Sequence, residues 1–332
     1  VPAEETPSKN VIITGINYQN GLSGAYIPML RIIGKTATVL ILCLVLLMSC
    51  STPADDSEDT SLSFLWEVSS DTNTVYILGS VHVAKADIYP LAEAIENAYA
   101  LSDYLVVEYD TNAVSELEMT ALLLEKGMYP TGESLRDNIT EDLYSRLCDR
   151  LRESDSTGLL LSSVHLFKPW VVANLIADLD YMALGYEVEY GIETYFLDKA
   201  EADSKDILEL ESAEFQLDIF ASLSDELQIM MLEDAVNHQV TEESMEMMFE
   251  AWSTGDAEMM EQLLFISMAL NPEYQPVYDM LYYERNFLML NKIEQYLQDD
   301  KTYFVVVGAA HLVGENGLIN LLDSKGYTVE QQ

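Results

Sequence analysis

Four histidines occur in the chain, and two of them close the same local pattern at opposite ends of its folded part. TVYILGSVH ends in Gly79-Ser80-Val81-His82, and TYFVVVGAAH ends in Gly308-Ala309-Ala310-His311. In each, an apolar β-prone run reaches a glycine, which permits backbone angles and close approaches that a side chain forbids. An imidazole follows three residues later. Between the two units, from about residue 114 to 300, the apolar periodicity is mainly helical. Strands at both ends enclosing a helical middle constrain the fold. They predict a single α/β domain whose central sheet takes strands from both chain ends and is completed by the C-terminus. No internal repeat at a solenoid period is visible.

Weaker signals fill in the sheet. Phe64 to Glu67 and Val75 to Leu78, separated by the turn cluster SSDTN, read as an opening hairpin. LAEAIENAYAL places Leu91, Ile95, Ala98 and Leu101 on one helical face. Tyr104 to Val107 is a compact apolar strand, Ile207 to Leu210 a strand within the helical region, Thr302 to Val307 a strong one, and Tyr327 to Val329 a short last one.

Ligands of open α/β sheets bind outside the carboxyl ends of the strands. His82 and His311 project from such ends, and YLVVEYD delivers Glu108 and Asp110 at another. Two imidazoles with one or two carboxylates suit a divalent transition metal. Taken singly, each histidine is as well explained as a turn residue hydrogen-bonded where a strand ends, and Glu108 as a solvated carboxylate. The duplication among so few histidines is what favours a site. In YYERNFLMLNKIEQYL, Tyr282, Leu290, Ile293 and Leu297 form an apolar stripe with Asn286 on it and Arg285 beside it. Arginine is scarce, six in the chain, and a polar group near an apolar face needs partners. Arg285 is therefore either half of a buried ion pair with Glu108 or Glu211, or a donor to a substrate carbonyl or oxyanion. Glu211 is a candidate for orienting a site side chain, or a helix-start carboxylate favoured by the dipole. His165 and His238 have no partner motif and are expected to be structural or exposed. Cys148, at helical spacing in LYSRLCDRL, is expected to be a packed thiol. The methionine runs read as core, although methionine also serves adaptable binding surfaces.

The 332 residues carry 16 Lys+Arg against 57 Asp+Glu, a net charge of −41, while 49% are apolar. That much apolar material excludes an acidic disordered polymer. The charge argues against a grip on nucleic acid, which needs clustered Lys and Arg. Residues 36–49, TATVLILCLVLLMS, form a charge-free apolar run of 14, short of the roughly 20 a spanning helix needs, with Arg31 and Lys35 ahead of it. The run ends Leu47-Met48-Ser49-Cys50 and is followed by polar STPADDSEDTS, an arrangement that resembles a bacterial lipobox with Cys50 as the lipidated residue. The organisation expected is an extension over 1–28 ahead of a true start at Met29, a lipoprotein signal peptide over 29–50, a polar tether over 51–61, and one domain over 62–332. A lipid anchor would place the domain on the cell envelope, at its periplasmic or extracellular face. Residues beyond Cys50 hold 55 acidic side chains against 13 basic ones, so the acidity belongs to the domain itself and suggests a salt-tolerant protein, from a saline habitat. With one cysteine in it, that domain can form neither an internal disulfide nor a Cys-rich zinc site.

Six segments, in order, resemble the TraB/GumN family, which includes the Tiki proteases. FLWEVSSDTNTVYILGSVHVAKADIYPL with AIENAYALSDYLVVEYD resembles its opening, GIETYFLDKA its Gly-Leu-Asp helix start, and ILELESAEFQLDIF its L-E-T-x-x-x-Q segment, with Glu211 and Gln216 at the matching places. AWSTGD, YYERNFLMLNKIEQYL and VVVGAAHLVGENGLINLLDSKGYTVE resemble its Trp-x-x-Gly-Asp turn, E-R-N helix and closing G-x-x-H block. The likeness covers about residues 64–330. The departures are Glu193, where the family often has Asp, and Ser80, which keeps the hydroxyl of the commoner Thr. The resemblance implies an α/β fold related to erythromycin esterase and the haem-binding ChaN-like proteins. It also implies a Mn²⁺- or Co²⁺-dependent peptidase, Zn²⁺ being the lesser option, with His82, Glu108 and His311 in metal binding or catalysis. No H-E-x-x-H helix is present, so an ordinary zincin is not expected. The expected function is a metal-dependent hydrolase acting on peptides or protein termini. The alternative is a non-enzymatic binding protein that sequesters a peptide signal or haem.

Overall fold

In the computed structural model, residues 62–155 and 157–332 are described, and the expected extension, signal peptide, Cys50 and tether lie outside them. Six strands form one mixed sheet: β1 (Leu65–Ser69), β2 (Thr74–Ser80), β3 (Tyr104–Val107), β4 (Asp206–Glu209), β5 (Tyr303–Gly308) and β6 (Thr328–Gln331). Their order across the sheet is β4-β3-β5-β2-β1-β6. The four strands β4, β3, β5 and β2 run parallel, while β1 lies antiparallel to both β2 and β6. The α/β class and the joining of strands from both chain ends match the sequence expectation. At the middle of the parallel set, β5 (YFVVVG) is buried along its whole length. A continuous apolar run is what a parallel strand covered on both faces requires.

Eleven helices of seven residues or more surround the sheet among the described residues. They are α1 (Glu93–Leu101), α2 (Glu116–Gly127), α3 (Glu141–Ser154), α4 (Pro169–Ala183), α5 (Ile192–Asp203), α6 (Ala213–Ser222), α7 (Asp225–Asn237), α8 (Glu242–Ser253), α9 (Ala257–Leu270), α10 (Glu284–Tyr296) and α11 (Leu318–Ser324). Their starts follow capping chemistry. Ser115 and Glu118 form a reciprocal capping box at α2, and Thr140, Ser212, Ser224, Thr241 and Asp256 accept from the first turns of α3, α6, α7, α8 and α9. Helix α1 corrects one expectation. Its buried residues are Ile95, Ala98 and Tyr99, and Leu101 is 68% exposed. The large aromatic ring at i+4 from Ile95, not the terminal leucine, meets the core.

Two contacts position the end of β2. Trp252, near the end of α8, donates its indole N–H to the Gly79 carbonyl at 2.7 Å. The N–H of Ile192, at the start of α5, donates to the Val81 carbonyl at 3.0 Å. Gly191 has to be glycine there, since a Cβ would overlap the carbonyl of His82. At the other edge, β6 pins the C-terminus to β1. The Gln331 amide donates to the Ser63 and Gly255 carbonyls at 3.0 and 2.6 Å. No helix among the described residues is long and apolar enough to cross a membrane.

Candidate functional site

Each of the four parallel strands delivers one side chain at its carboxyl end: Glu211 after β4, Glu108 after β3, His311 after β5 and His82 after β2. Ser80 and Gly308 are register partners on β2 and β5, so the two Gly-x-x-His units leave the sheet side by side. Gly308 marks where they meet. A methyl group built on it would lie 3.3 Å from Glu108 Oε1, 3.4 Å from His82 Nε2 and 3.6 Å from His311 Cδ2. His82, Glu108 and His311, more than two hundred residues apart at the extremes, thus converge on one backbone position.

Glu108, buried at 1% exposure, is held on both oxygens. Its Oε1 accepts the Gly308 N–H at 2.7 Å, and its Oε2 accepts from Gln216 at 2.8 Å and from Arg285 Nη2 at 2.5 Å. Arg285 also donates to both oxygens of Glu211, from Nε at 2.9 Å and Nη2 at 2.7 Å, and its Nη1 donates to the Leu281 carbonyl at 2.8 Å. Gln216 Nε2 bridges the two carboxylates, reaching Glu211 Oε2 at 3.0 Å. Burial disfavours the guanidinium charge, but the two glutamates outweigh it and hold Arg285 firmly protonated. Of the two readings the sequence left for Arg285, the geometry is that of the buried ion pair: its nitrogens turn to Glu108, Glu211 and a backbone carbonyl. The turn just ahead of it, Asp279–Tyr283, is widened to π geometry, a distortion often met at functional sites.

The two imidazoles are oriented from behind. His311 Nδ1 lies 2.6 Å from Asn286 Oδ1, whose amide nitrogen is spent on the Asn316 carbonyl at 2.8 Å. An amide oxygen only accepts, so Nδ1 carries the proton and Nε2 keeps its lone pair. Burial and the nearby Arg285 charge push the His311 pKa well below its usual value, which keeps the ring neutral. His82 Nδ1 faces Glu193 Oε2 at 3.6 Å. Burial works to lower the His82 pKa, but its hydrogen bonding and charge interaction with Glu193, aided by Glu108, outweigh it and the net shift is upward. Glu193 is itself pushed up, by burial first and by the Glu108 charge. His82 Nε2 and His311 Nε2 are both buried without a hydrogen-bond partner.

Those two nitrogens bear on whether a metal suits the site. Each is the ring nitrogen opposite one already fixed by an acceptor, the arrangement in which a histidine presents a lone pair to a cation. The nearest carboxylate oxygen, Glu108 Oε1, stands 3.7 Å from His311 Nε2 and already takes the Gly308 N–H. Among the described residues no three His, Cys, Asp or Glu side chains are spaced to grip one ion. The donors fit a divalent metal in kind, two imidazoles with a carboxylate beside them, and holding one would need the side chains to draw closer together.

A small pocket opens before His82, while His311 lies buried behind Gly308, Ala309 and Ala310 and does not line it. Ser80, His82 and Gly308 line its sheet side, and Met248, Met260 and Leu264 of α8 and α9 line the other. Part of the methionine-rich sequence therefore faces the site, not only the core. Other candidates lie elsewhere. Asp110 turns the chain, accepting from the N–H groups of Asn112 and Ala113. His238 pairs with Asp234 at 2.9 Å. Cys148 is buried, and burial pushes its thiol pKa up. Sequence reasoning did not single out Glu193, Gln216 or Trp252 as site or support residues, although each stood in a quoted motif.

Comparisons with known proteins place the chain in a family. The model of the TraB/PrgY/gumN family matches residues 64–331. The chain is 27% identical over 257 residues to the uncharacterized protein YbaP of Escherichia coli (strain K12), a match covering 74% of this chain and 87% of that one. It is 24% identical over 319 residues to Metalloprotease TIKI1 of Danio rerio, covering 81% of this chain and 63% of the fish protein. With the human Metalloprotease TIKI1 it is 22% identical over 317 residues, 81% of this chain and 61% of the human one, so the chain spans less than two thirds of either Tiki protein. No solved structure matches. With the family's pattern running through both Gly-x-x-His units and every strand of the sheet, the chain belongs to the TraB/PrgY/gumN family.

Proposed function

We propose that this protein is a metal-dependent hydrolase that cleaves peptide bonds in peptides or protein termini at the cell envelope. The observation that carries the reading is the meeting of His82 Nε2, the His311 ring and Glu108 Oε1 around Gly308, with the Nε2 atoms of both histidines buried and without a hydrogen-bond partner. The naming of the Tiki relatives as metalloproteases supports it. His82 Nε2 and His311 Nε2 would hold a divalent cation, Mn²⁺ or Co²⁺ ahead of Zn²⁺, whose chemistry is to polarise a carbonyl and lower the pKa of water. Glu108 is the carboxylate placed to accept a proton from an attacking water. Arg285 and Gln216 hold its far oxygen and fix its direction, and Glu211 holds both of those donors in turn. Asn286 fixes the His311 tautomer, and Glu193 backs His82. The apolar wall of Met248, Met260 and Leu264 limits water at the pocket's far side. Envelope placement, with Cys50 carrying a lipid, is supported by the charged flank, apolar run and lipobox-like ending of residues 31–50.

The test is metal content and peptide turnover of the full chain supplied with Mn²⁺, Co²⁺ or Zn²⁺, against His82→Ala, His311→Ala and Gly308→Ala. The expected result is bound metal and cleavage in the wild type, with both lost in the variants. Gly308→Ala is the most telling, because its methyl presses on Glu108 Oε1 and His82 Nε2 at 3.3 and 3.4 Å and fills the meeting point, with thermal unfolding measured beside it to show that the fold survives. A wild type that binds none of the three metals sinks the reading. Haem uptake with a Soret band lost on His82→Ala would install the binding-protein alternative instead.

A further inference from the structure

Among the described residues, seven buried side-chain nitrogen or oxygen atoms have no hydrogen-bond partner, and four of them are at the site: Ser80 Oγ, His82 Nε2, Glu193 Oε1 and His311 Nε2. The two imidazole nitrogens have a reason to be bare, and Glu193 stands behind His82. Ser80 remains to be explained. It is 2% exposed, and leaving a buried hydroxyl unpaired costs free energy that alanine in its place would not. Its position is specific. Ser80 is the register partner of Gly308 and shares the pocket wall with His82, Ala309 and Ala310. Apart from Tyr181 the pocket's other walls are largely apolar, and no protein group takes the hydroxyl.

We infer that Ser80 Oγ–H is a substrate-binding donor, reserved for the carbonyl oxygen of the bond that is cut. This rests on the hydrolase reading above. A carbonyl seated in the pocket in front of His82 lies next to Gly308, and Ser80, on the adjoining strand, supplies a hydrogen bond that tightens as negative charge builds on that oxygen. The hydroxyl forms no covalent bond and gives up no proton. It is distinct from Arg285, whose donors are already committed to Glu108, Glu211 and Leu281.

The experiment compares wild type, Ser80→Ala and Ser80→Thr as full chains, with a degenerate fluorogenic peptide library and Mn²⁺ or Co²⁺. Thermal unfolding of the metal-free proteins and metal content are measured beside turnover. For Ser80→Ala we expect kcat to fall by about a hundredfold to a thousandfold, the scale of removing one oxyanion donor. Metal content should stay unchanged, and the melting temperature should be unchanged or higher. Ser80→Thr, which restores the hydroxyl, should recover most of the rate. A purely structural serine would instead lower the melting temperature and leave kcat alone. Full turnover by Ser80→Ala overturns the inference while leaving the hydrolase reading standing. A wild type that cleaves nothing in the library removes both. Labelling of Ser80 by a fluorophosphonate would also overturn it, by showing a nucleophile instead of a donor.

Discussion

Arg285 is the residue on which the buried half of the site turns. One guanidinium pairs with two carboxylates that are 1% and 2% exposed at their side chains, leaving one net negative charge, and Gln216 and the Gly308 N–H supply further donors. Truncation of a buried pair leaves an uncompensated charge, so Arg285→Ala should destabilise the protein by about 3–5 kcal/mol, measured by urea unfolding. Arg285→Lys should recover little, since a point charge cannot serve the forked set of acceptors. A loss under 1 kcal/mol in the alanine variant would mean that Glu108 and Glu211 do not depend on it. Asp234 offers a separate test of burial. Its carboxyl is pushed above the ordinary value of 3.8 by desolvation, against the pull of His238. An acid with a raised folded pKa keeps its proton longer in the folded protein than in the unfolded chain. Stability is therefore present below 3.8 and lost as pH rises through the raised value. The stability of the wild type relative to Asp234→Asn should fall across that window, and a difference flat in pH would contradict the assignment. At this scale the histidines and Glu108 were legible because each follows its strand directly in sequence. Glu193 was not, because it reaches His82 only through the docking of α5 on the end of β2, and Ser80's bareness depends on what surrounds it.

At the scale of elements, the helical middle announced itself through periodicity and through serine, threonine and aspartate caps. Thr140→Ala should cost α3 about 1 kcal/mol, a typical N-cap loss, visible as a lower unfolding midpoint. The motif around Trp252 was legible as a family signature but not as a function. In the fold it is a strut, tying α8 to the Gly79 carbonyl at the exit of β2. Trp252→Phe keeps the ring and removes the donor. It should destabilise by about 1–3 kcal/mol, the cost of an orphaned buried carbonyl, and reduce turnover by loosening the His82 turn. Lost stability with unaltered turnover would show that His82 is held by Gly191 and Ile192 alone. The widened turn over Asp279–Tyr283 left no trace in the sequence pattern, which showed only a mainly helical stretch there and a helix from Tyr282. The misread face of α1 has a similar origin, since Leu101 sits on the periodic stripe but falls at the helix end, beyond the reach of the core.

For the whole molecule, the sequence indicated that strands from both ends share one sheet. Their order was beyond it, because placing β3 and β4 beyond β5 depends on two crossovers that no local pattern encodes. The charge was legible outright. With 55 acidic side chains against 13 basic ones beyond Cys50, self-repulsion opposes compaction wherever salt does not screen it. The melting temperature should rise with NaCl from about 10 mM to 1 M, as the screening length contracts from roughly 30 Å to 3 Å. Independence from salt would show that the carboxylates are spread too thinly to repel.

The pairing of β1 with β6 has an orientational consequence. Since β1 runs against β2, its beginning stands at the rim where β2 releases His82, and β6 finishes at that same rim. The chain thus enters at Leu62 and leaves at Gln332 beside the pocket's own edge, with the opposite edge of the sheet turned away. Whatever grips the N-terminal segment grips the domain from its working side.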